Sequence, residues 1–127
     1  MIKDFLIISC TGKDDYIGLS LNNNFFIKKI QSKINKNEIL IKHIYDIIKE
    51  NNVNCDENFS VIINNGPGRF STIRAALAIA KGIKIAKGVK LFGFNNSNLS
   101  KFDHKNVELL IKKKLIENKL IKPIYLS

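Results

Sequence analysis

Gly66-Pro67-Gly68-Arg69-Phe70-Ser71-Thr72-Ile73-Arg74 stands between two segments of opposite character, and its reading decides the fold. Before it, Phe59-Ser60-Val61-Ile62-Ile63 is a short, nearly continuous apolar run, the pattern of a strand buried on both faces. After it, Ser71 to Lys87 has no helix breaker except Gly82 and stops at Gly88, so a helix is expected over 71–87. Val89-Lys90-Leu91-Phe92-Gly93-Phe94 then reads as another strand. Strand, tight turn, helix and strand make a βαβ unit, whose strands are parallel with a right-handed crossover. A Gly-rich turn at the mouth of a helix can hold a phosphate on its backbone N–H groups. Pro67 removes one such donor, and no Lys-Ser/Thr pair follows Gly68, so a tight structural turn of Gly66, Pro67 and Gly68 with Ser71 as helix cap is favoured over a phosphate site.

Working outward, Phe5 to Cys10 is a buried strand ending in turn chemistry at Thr11-Gly12-Lys13-Asp14-Asp15, and Tyr16–Leu21 resumes a β pattern. Asn22-Asn23-Asn24 is a tight turn, and Phe25 to Ile34 alternates well enough for a third strand. Leu40, Ile41, Ile44, Ile47 and Ile48 recur at three- and four-residue spacing, which predicts a helix over 38–50 capped by Asn37. A Lys-rich helix is expected over about 106–118. The class is therefore α/β, with a five-stranded mixed sheet: three antiparallel strands, then two parallel ones.

The chain has 127 residues, 45% of them hydrophobic, which fits one domain with a real core and excludes disorder over most of its length. No apolar run reaches the ~20 residues of a membrane span, and the acidic residue in Met1-Ile2-Lys3-Asp4 is unlike a signal peptide. A cytoplasmic protein without membrane contact is expected. The net charge of +10 comes from 19 Lys and only 2 Arg, beside 22 Ile and 16 Asn. All but Arg are favoured by A/T-rich codons, so the Lys excess is ambiguous between nucleic-acid contact and codon bias. Arg69 and Arg74 are the two places where Lys was not used. Cys10 and Cys55 are too few and too far apart for a metal site or redox pair, and no cofactor or metal is implied.

From Thr72 to Ala80 the only charge is Arg74, while Ala75, Ala76, Ala78, Ala80, Gly82 and Ala86 are all small. A helix so nearly apolar all round is expected to be buried on two sides. Its second cover is either another helix of this chain or a partner, since Ala78, Gly82 and Ala86 leave a flat strip for a close helix approach. Arg74 near a helix start opposes the dipole and calls for a carboxylate or carbonyl, a local salt bridge being the simplest answer.

The stretch 66–74, continuing through Ala80-Lys81-Gly82 to Gly88-Val89-Lys90-Leu91-Phe92-Gly93, resembles the signature of the TsaB (YeaZ-like) family: Gly-Pro-Gly-Ser-Phe-Thr-Gly-Leu/Val-Arg, an Ala-rich helix with Ala-Lys-Gly, and a strand after Gly-Ile/Val. Glu108 to Leu120 followed by Lys122-Pro123-Ile124-Tyr125-Leu126 is similar to the family's last helix and Pro-x-Tyr-Leu ending. The resemblance implies one lobe of an actin/Hsp70/sugar-kinase (ribonuclease H-like) fold over 1–127, with an appended C-terminal helix and no usual second lobe, since only about ten residues (95–104) bridge the last strand and final helix. It further implies a part in the threonylcarbamoyl modification of tRNA adenosine. The chain would be a non-catalytic scaffold pairing with a TsaD-like paralogue, with a TsaE-like ATPase in the complex, or with its own copy when alone. On that resemblance Ile41, Tyr45, Ile48, Phe70, Arg74, Ala75, Ala78 and Gly82 would meet the partner.

Three departures bear on chemistry. Ser9-Cys10-Thr11 stands where relatives have Asp-Thr-Ser, Lys36-Asn37 where the family has His-Ser, and Arg69 where the loop has Ser. The missing acid argues against kinase-like metal and phosphate chemistry. An alternative is a small nucleotide-dependent enzyme of the same superfamily, for which Cys10 or Ser71 would be nucleophiles and His43 or His104 bases, none at a recognised spacing. Another is a basic module touching tRNA weakly through Lys112, Lys113 and Lys114.

Overall fold

The computed structural model describes residues 3–30, 36–118 and 121–125. The strands are β1 (Phe5–Ser9), β2 (Asp15–Leu21), β3 (Asn24–Ile30), β4 (Ser60–Asn64) and β5 (Lys90–Phe94); the helices are α1 (Lys36–Glu50), α2 (Phe70–Lys87) and α3 (His104–Lys112). They form one sheet in the order β3-β2-β1-β4-β5. β1 pairs antiparallel with β2 and β2 with β3, while β1–β4 and β4–β5 are parallel. Strand alternation divides the core. Leu6, Ile8, Ile17, Leu19, Val61 and Ile63 point to the face covered by α1 and α2. Phe5, Ile7 and Ile62 point to the other, where Val107 and Leu110 of α3 meet them. Each fully buried Ile or Leu contributes about 1.5–3 kcal/mol, so β1 and β4, buried at every position, anchor the domain.

Several boundaries differ from the sequence expectation. β3 ends at Ile30, and 31–34 lie outside the described residues. α1 starts at Lys36, one residue before Asn37, whose expected capping side chain also lies outside the description. Ser71 does not cap α2: the helix begins at Phe70, Arg69 holds the cap position without a side-chain bond, and Ile73 N–H donates to Arg69 O at 2.9 Å. The helix starts one residue earlier than expected, and its cap two, where Arg69 N–H is fixed to Thr11 O at 2.9 Å. Gly88, in left-handed conformation with φ 71°, ends α2 as expected.

α3 is shorter than the helix expected over 106–118. Asp103 caps it by accepting from Asn106 N–H at 2.8 Å. It stops at Lys112 because Lys114 turns left-handed, with Lys114 N–H donating to Ile111 O and Leu115 N–H to Leu110 O, both at 3.0 Å. This is a Schellman ending, and Leu110 and Leu115 share the same apolar cluster. It lets the chain double back so that Glu117 and Gly93 exchange both backbone bonds, at 2.7 and 2.9 Å.

Candidate functional site

The Gly66-Pro67-Gly68 turn lies where β4 gives way to α2. Asn64, 1% exposed, organises it: its Oδ1 accepts from Gly66 N–H at 2.9 Å, and its Nδ2 donates to Ser9 Oγ at 3.1 Å and Asn96 Oδ1 at 2.9 Å. The C-terminal segment then crosses the turn. Ile124 N–H donates to Asn65 O at 2.7 Å, and Gly68 N–H donates to Ile124 O at 3.2 Å. Gly66 has φ +108°, and a Cβ there would collide with Ile124 O; a Cβ on Gly93 would meet Ile121 Cγ2 at 2.9 Å. Both glycines are thus shaped to admit the segment 121–125. The amides of Gly66, Gly68 and Arg69 all have protein acceptors and Pro67 has no N–H, so the turn from 66 to 69 offers a phosphate no free amide of its own. The strap itself was beyond the reach of periodicity, since single bridges carry no repeating pattern; the resemblance of Pro123-Ile124-Tyr125 to the family ending was its only signal.

The neighbouring β1–β2 turn is closed by buried Asp15, whose Oδ1 accepts from Thr11 N–H at 3.1 Å and Gly12 N–H at 2.9 Å. Sequence reasoning passed over this carboxylate because the acid it sought belongs at Ser9–Thr11. It fixes the turn against which Arg69 packs: a Cβ on Gly12 would meet the Arg69 side chain at 2.6 Å.

The second candidate is the outer face of α1 and α2. Both helices cover the same sheet face, and α2 buries Ile73, Ala76, Leu77 and Ala80 there. Its opposite side is open: Arg74, Ala78 and Gly82 are exposed, Ala75 is half-buried, and nothing comes within 4 Å of a Cβ placed on Gly82. The expected two-sided burial is therefore not met among the described residues. α1 lies alongside α2 but leaves the small-residue strip uncovered, because it packs by Leu40, Ile44 and Ile47. Its other side presents Ile41, 53% exposed, and Tyr45, 60% exposed. Between the helices runs an apolar groove of about 820 Å³ whose lining includes Ile41, Tyr45, Ile48, Ile79, Gly82 and Ile83. Four of the eight expected contact residues, Ile41, Tyr45, Ile48 and Gly82, come together there; Ala75 and Ala78 lie outside the groove lining, on α2.

Phe70 and Arg74 stand apart, at the start of α2. Arg74 makes no salt bridge among the described residues; its guanidinium lies 5.6 Å from the Phe70 ring centroid. Phe70 in turn contacts Tyr125 of the strap, ring centroids 4.6 Å apart. The dipole problem is met by a π face, which a search for carboxylates misses.

Charge along α1 is paired by Lys42–Asp46 at 2.9 Å and by Lys28–Glu50 at 3.5 Å. The hydrogen bond to Asp46 raises the Lys42 pKa, and the bond to Lys42 lowers that of Asp46. Burial at the groove edge pushes the Cys55 thiol up, against the pull of Lys87.

Of the residues named for the catalytic alternatives, Ser71 lies exposed in the first turn of α2. Cys10 is buried at the end of β1; His43 lies on α1 and His104 on α3, on opposite faces of the sheet. His104 pairs with Glu108 at 2.9 Å and stacks on Phe25 at 5.2 Å. No group of three His, Cys, Asp or Glu side chains among the described residues could hold a metal ion, and no described helix is long and apolar enough to cross a membrane.

Three antiparallel strands continued by two parallel ones, with two helices on one face and a third behind, define an actin-like lobe of the ASKHA type. No family model matches the chain. Over 67 residues it is 36% identical to the tRNA threonylcarbamoyladenosine biosynthesis protein TsaB of Buchnera aphidicola subsp. Baizongia pistaciae (strain Bp), a match taking in 53% of this chain and 30% of that protein. Its fold superposes on YeaZ from Pseudomonas aeruginosa with a TM-score of 0.70 at 12% identity, covering 89% of this chain and 50% of that one. A structure described as an uncharacterized protein with similarity to peptidase YEAZ from Pseudomonas aeruginosa gives a TM-score of 0.69 at 14% identity, covering 77% and 45%. The chain is TsaB/YeaZ-like over the part that matches, and spans half or less of the length of these relatives.

Proposed function

We propose that this chain is a non-catalytic partner subunit in forming threonylcarbamoyladenosine in tRNA, docking a TsaD-like transferase on the outer face of α1 and α2, with a TsaE-like ATPase joining the complex. The chain would act as a single lobe, 1–127, with its terminal helix folded back. The observation that carries this reading is the uncovered apolar face: Ile41 and Tyr45 project beside a strip, Ala78 and Gly82, that allows helix backbones to approach closely. The protein to which the sequence match points is named for threonylcarbamoyladenosine biosynthesis, which supplies the pathway. The engagement of the Gly66, Gly68 and Arg69 amides by acceptors of the chain itself and the placement of α1, with His43, and α3, with His104, on opposite faces of the sheet favour docking over catalysis. Lys112, Lys113 and Lys114 surround the C-terminus of α3, where cations complement the helix dipole without any RNA.

Co-expression with the TsaD-like protein of the same genome tests the reading. A stable heterodimer is expected, and Ala78→Arg or Gly82→Arg should weaken it at least about a hundredfold by forcing a charge into a close helix contact. A monomeric chain that ignores the transferase, or ATP turnover by the chain alone, would count against it.

A further inference from the structure

Arg69, Phe70, Arg74 and Tyr125 form a cluster outside the lining of the α1–α2 groove. The Arg74 guanidinium, the Phe70 ring and the Tyr125 ring stand in a row, 5.6 and 4.6 Å apart. Phe70 is 55% exposed and Tyr125 37% exposed; both arginines are exposed, and neither makes a salt bridge among the described residues. The row is built rather than incidental. Tyr125 is brought there by the bond of Ile124 N–H to Asn65 O, and Arg69 is held by its backbone bond to Thr11 and the packing of its side chain on Gly12. Lys13, next to Gly12, and Lys122, two residues before Ile124, are also exposed, against one exposed acid in that turn, Asp14. In a chain that otherwise uses Lys 19 times, both arginines fall in this one cluster. Arginine differs from lysine in offering a flat, weakly hydrated fork that stacks on a ring and grips phosphate in two places. Exposed aromatic rings beside such forks suit an unstacked nucleobase and its backbone.

We propose that Arg69, Phe70, Arg74 and Tyr125 form a shelf for single-stranded nucleic acid, one unstacked base lying on the aromatic–guanidinium row and its flanking phosphates on the two arginines. The site lies outside the groove between α1 and α2 and away from the lysines at the end of α3, with Arg74 on the same open side of α2 as Ala78 and Gly82.

The test is fluorescence anisotropy of the whole chain with labelled 12-nucleotide single-stranded RNA and DNA, the matching duplex, and unlabelled competitors. Single strands of either sugar should bind, with a log–log salt slope of roughly −0.7 for each phosphate neutralised. Arg74→Lys keeps the charge and should still weaken binding about fivefold, because the flat stack is lost. Arg69→Glu with Arg74→Glu should abolish it. Tyr125→Ala should cost about tenfold, and Tyr125→Phe should retain binding. Circular dichroism unchanged from the parent establishes that each variant is folded, and the arginine variants, being on the surface, keep the test decisive if Tyr125→Ala unfolds. The proposal is overturned by equal affinity for the duplex, by ATP competing as well as unlabelled strand, by Arg74→Lys binding as the parent does, or by Lys112→Glu with Lys113→Glu costing more than the arginine pair. It also fails if Arg74→Glu spares strand binding and breaks the transferase complex instead, which would return the cluster to the docking face.

Discussion

At the scale of single residues, glycine placement carries the clearest consequences. Gly66 combines a left-handed backbone with the close passage of Ile124 O, so Gly66→Ala meets backbone strain and a clash together. It should destabilise the protein by more than about 3 kcal/mol, read as a lower midpoint in chemical denaturation. Gly82 is the reverse case: it lies in the helix interior with open space around it. Gly82→Ala should therefore stabilise the isolated chain by about 0.5–1 kcal/mol, and Gly82→Arg, also a better helix former than glycine, should not destabilise it while weakening the complex. Cys55 supplies a chemical probe of the same face. Its raised pKa means that less thiolate is present near neutrality than for an ordinary cysteine, so alkylation should be slow at pH 7 and quicken as pH rises past the usual thiol range. Because Cys55 lines the groove, a docked partner should protect it, and mass spectrometry after a timed iodoacetamide pulse reads both effects. Cys10, buried under the sheet, should stay unmodified in either state.

At the scale of elements, what was legible depended on whether a segment's neighbours are local. β1 and β4 are buried on both faces, and their unbroken apolar runs announce it; α1 and α2 declare themselves by spacing and by Gly88. The end of α3 was not legible, because Lys113-Lys114 looks like more helix until one knows that Glu117 must reach Gly93. Ser71 failed as a cap for the same reason: the start of α2 is set by a bond from Arg69 to Thr11, a contact 58 positions distant that no local signal encodes. The candidate contact residues divided likewise. The small, flat character of Ala78 and Gly82 could be read from composition, but that the groove runs along the later part of α2, from Ile79 to Lys87, while Phe70 at its start meets Tyr125, could not.

At the scale of the whole molecule, two helices cover one face of the sheet and a third the other, β3 stays largely exposed, and α2 keeps an outer face uncovered among the described residues. The segment 121–125 crosses the Gly66-Pro67-Gly68 turn, taking Gly68 N–H and Asn65 O as its partners. On the proposed function, a transferase subunit covers the α1–α2 face. The most direct measurement is analytical ultracentrifugation of the chain mixed with the TsaD-like protein of its own genome, run beside Ala78→Arg. The account predicts a 1:1 complex with the parent chain and free subunits with the variant, while the variant's unfolding midpoint stays that of the parent. A complex that forms equally well with Ala78→Arg, or no complex with the parent, would contradict it.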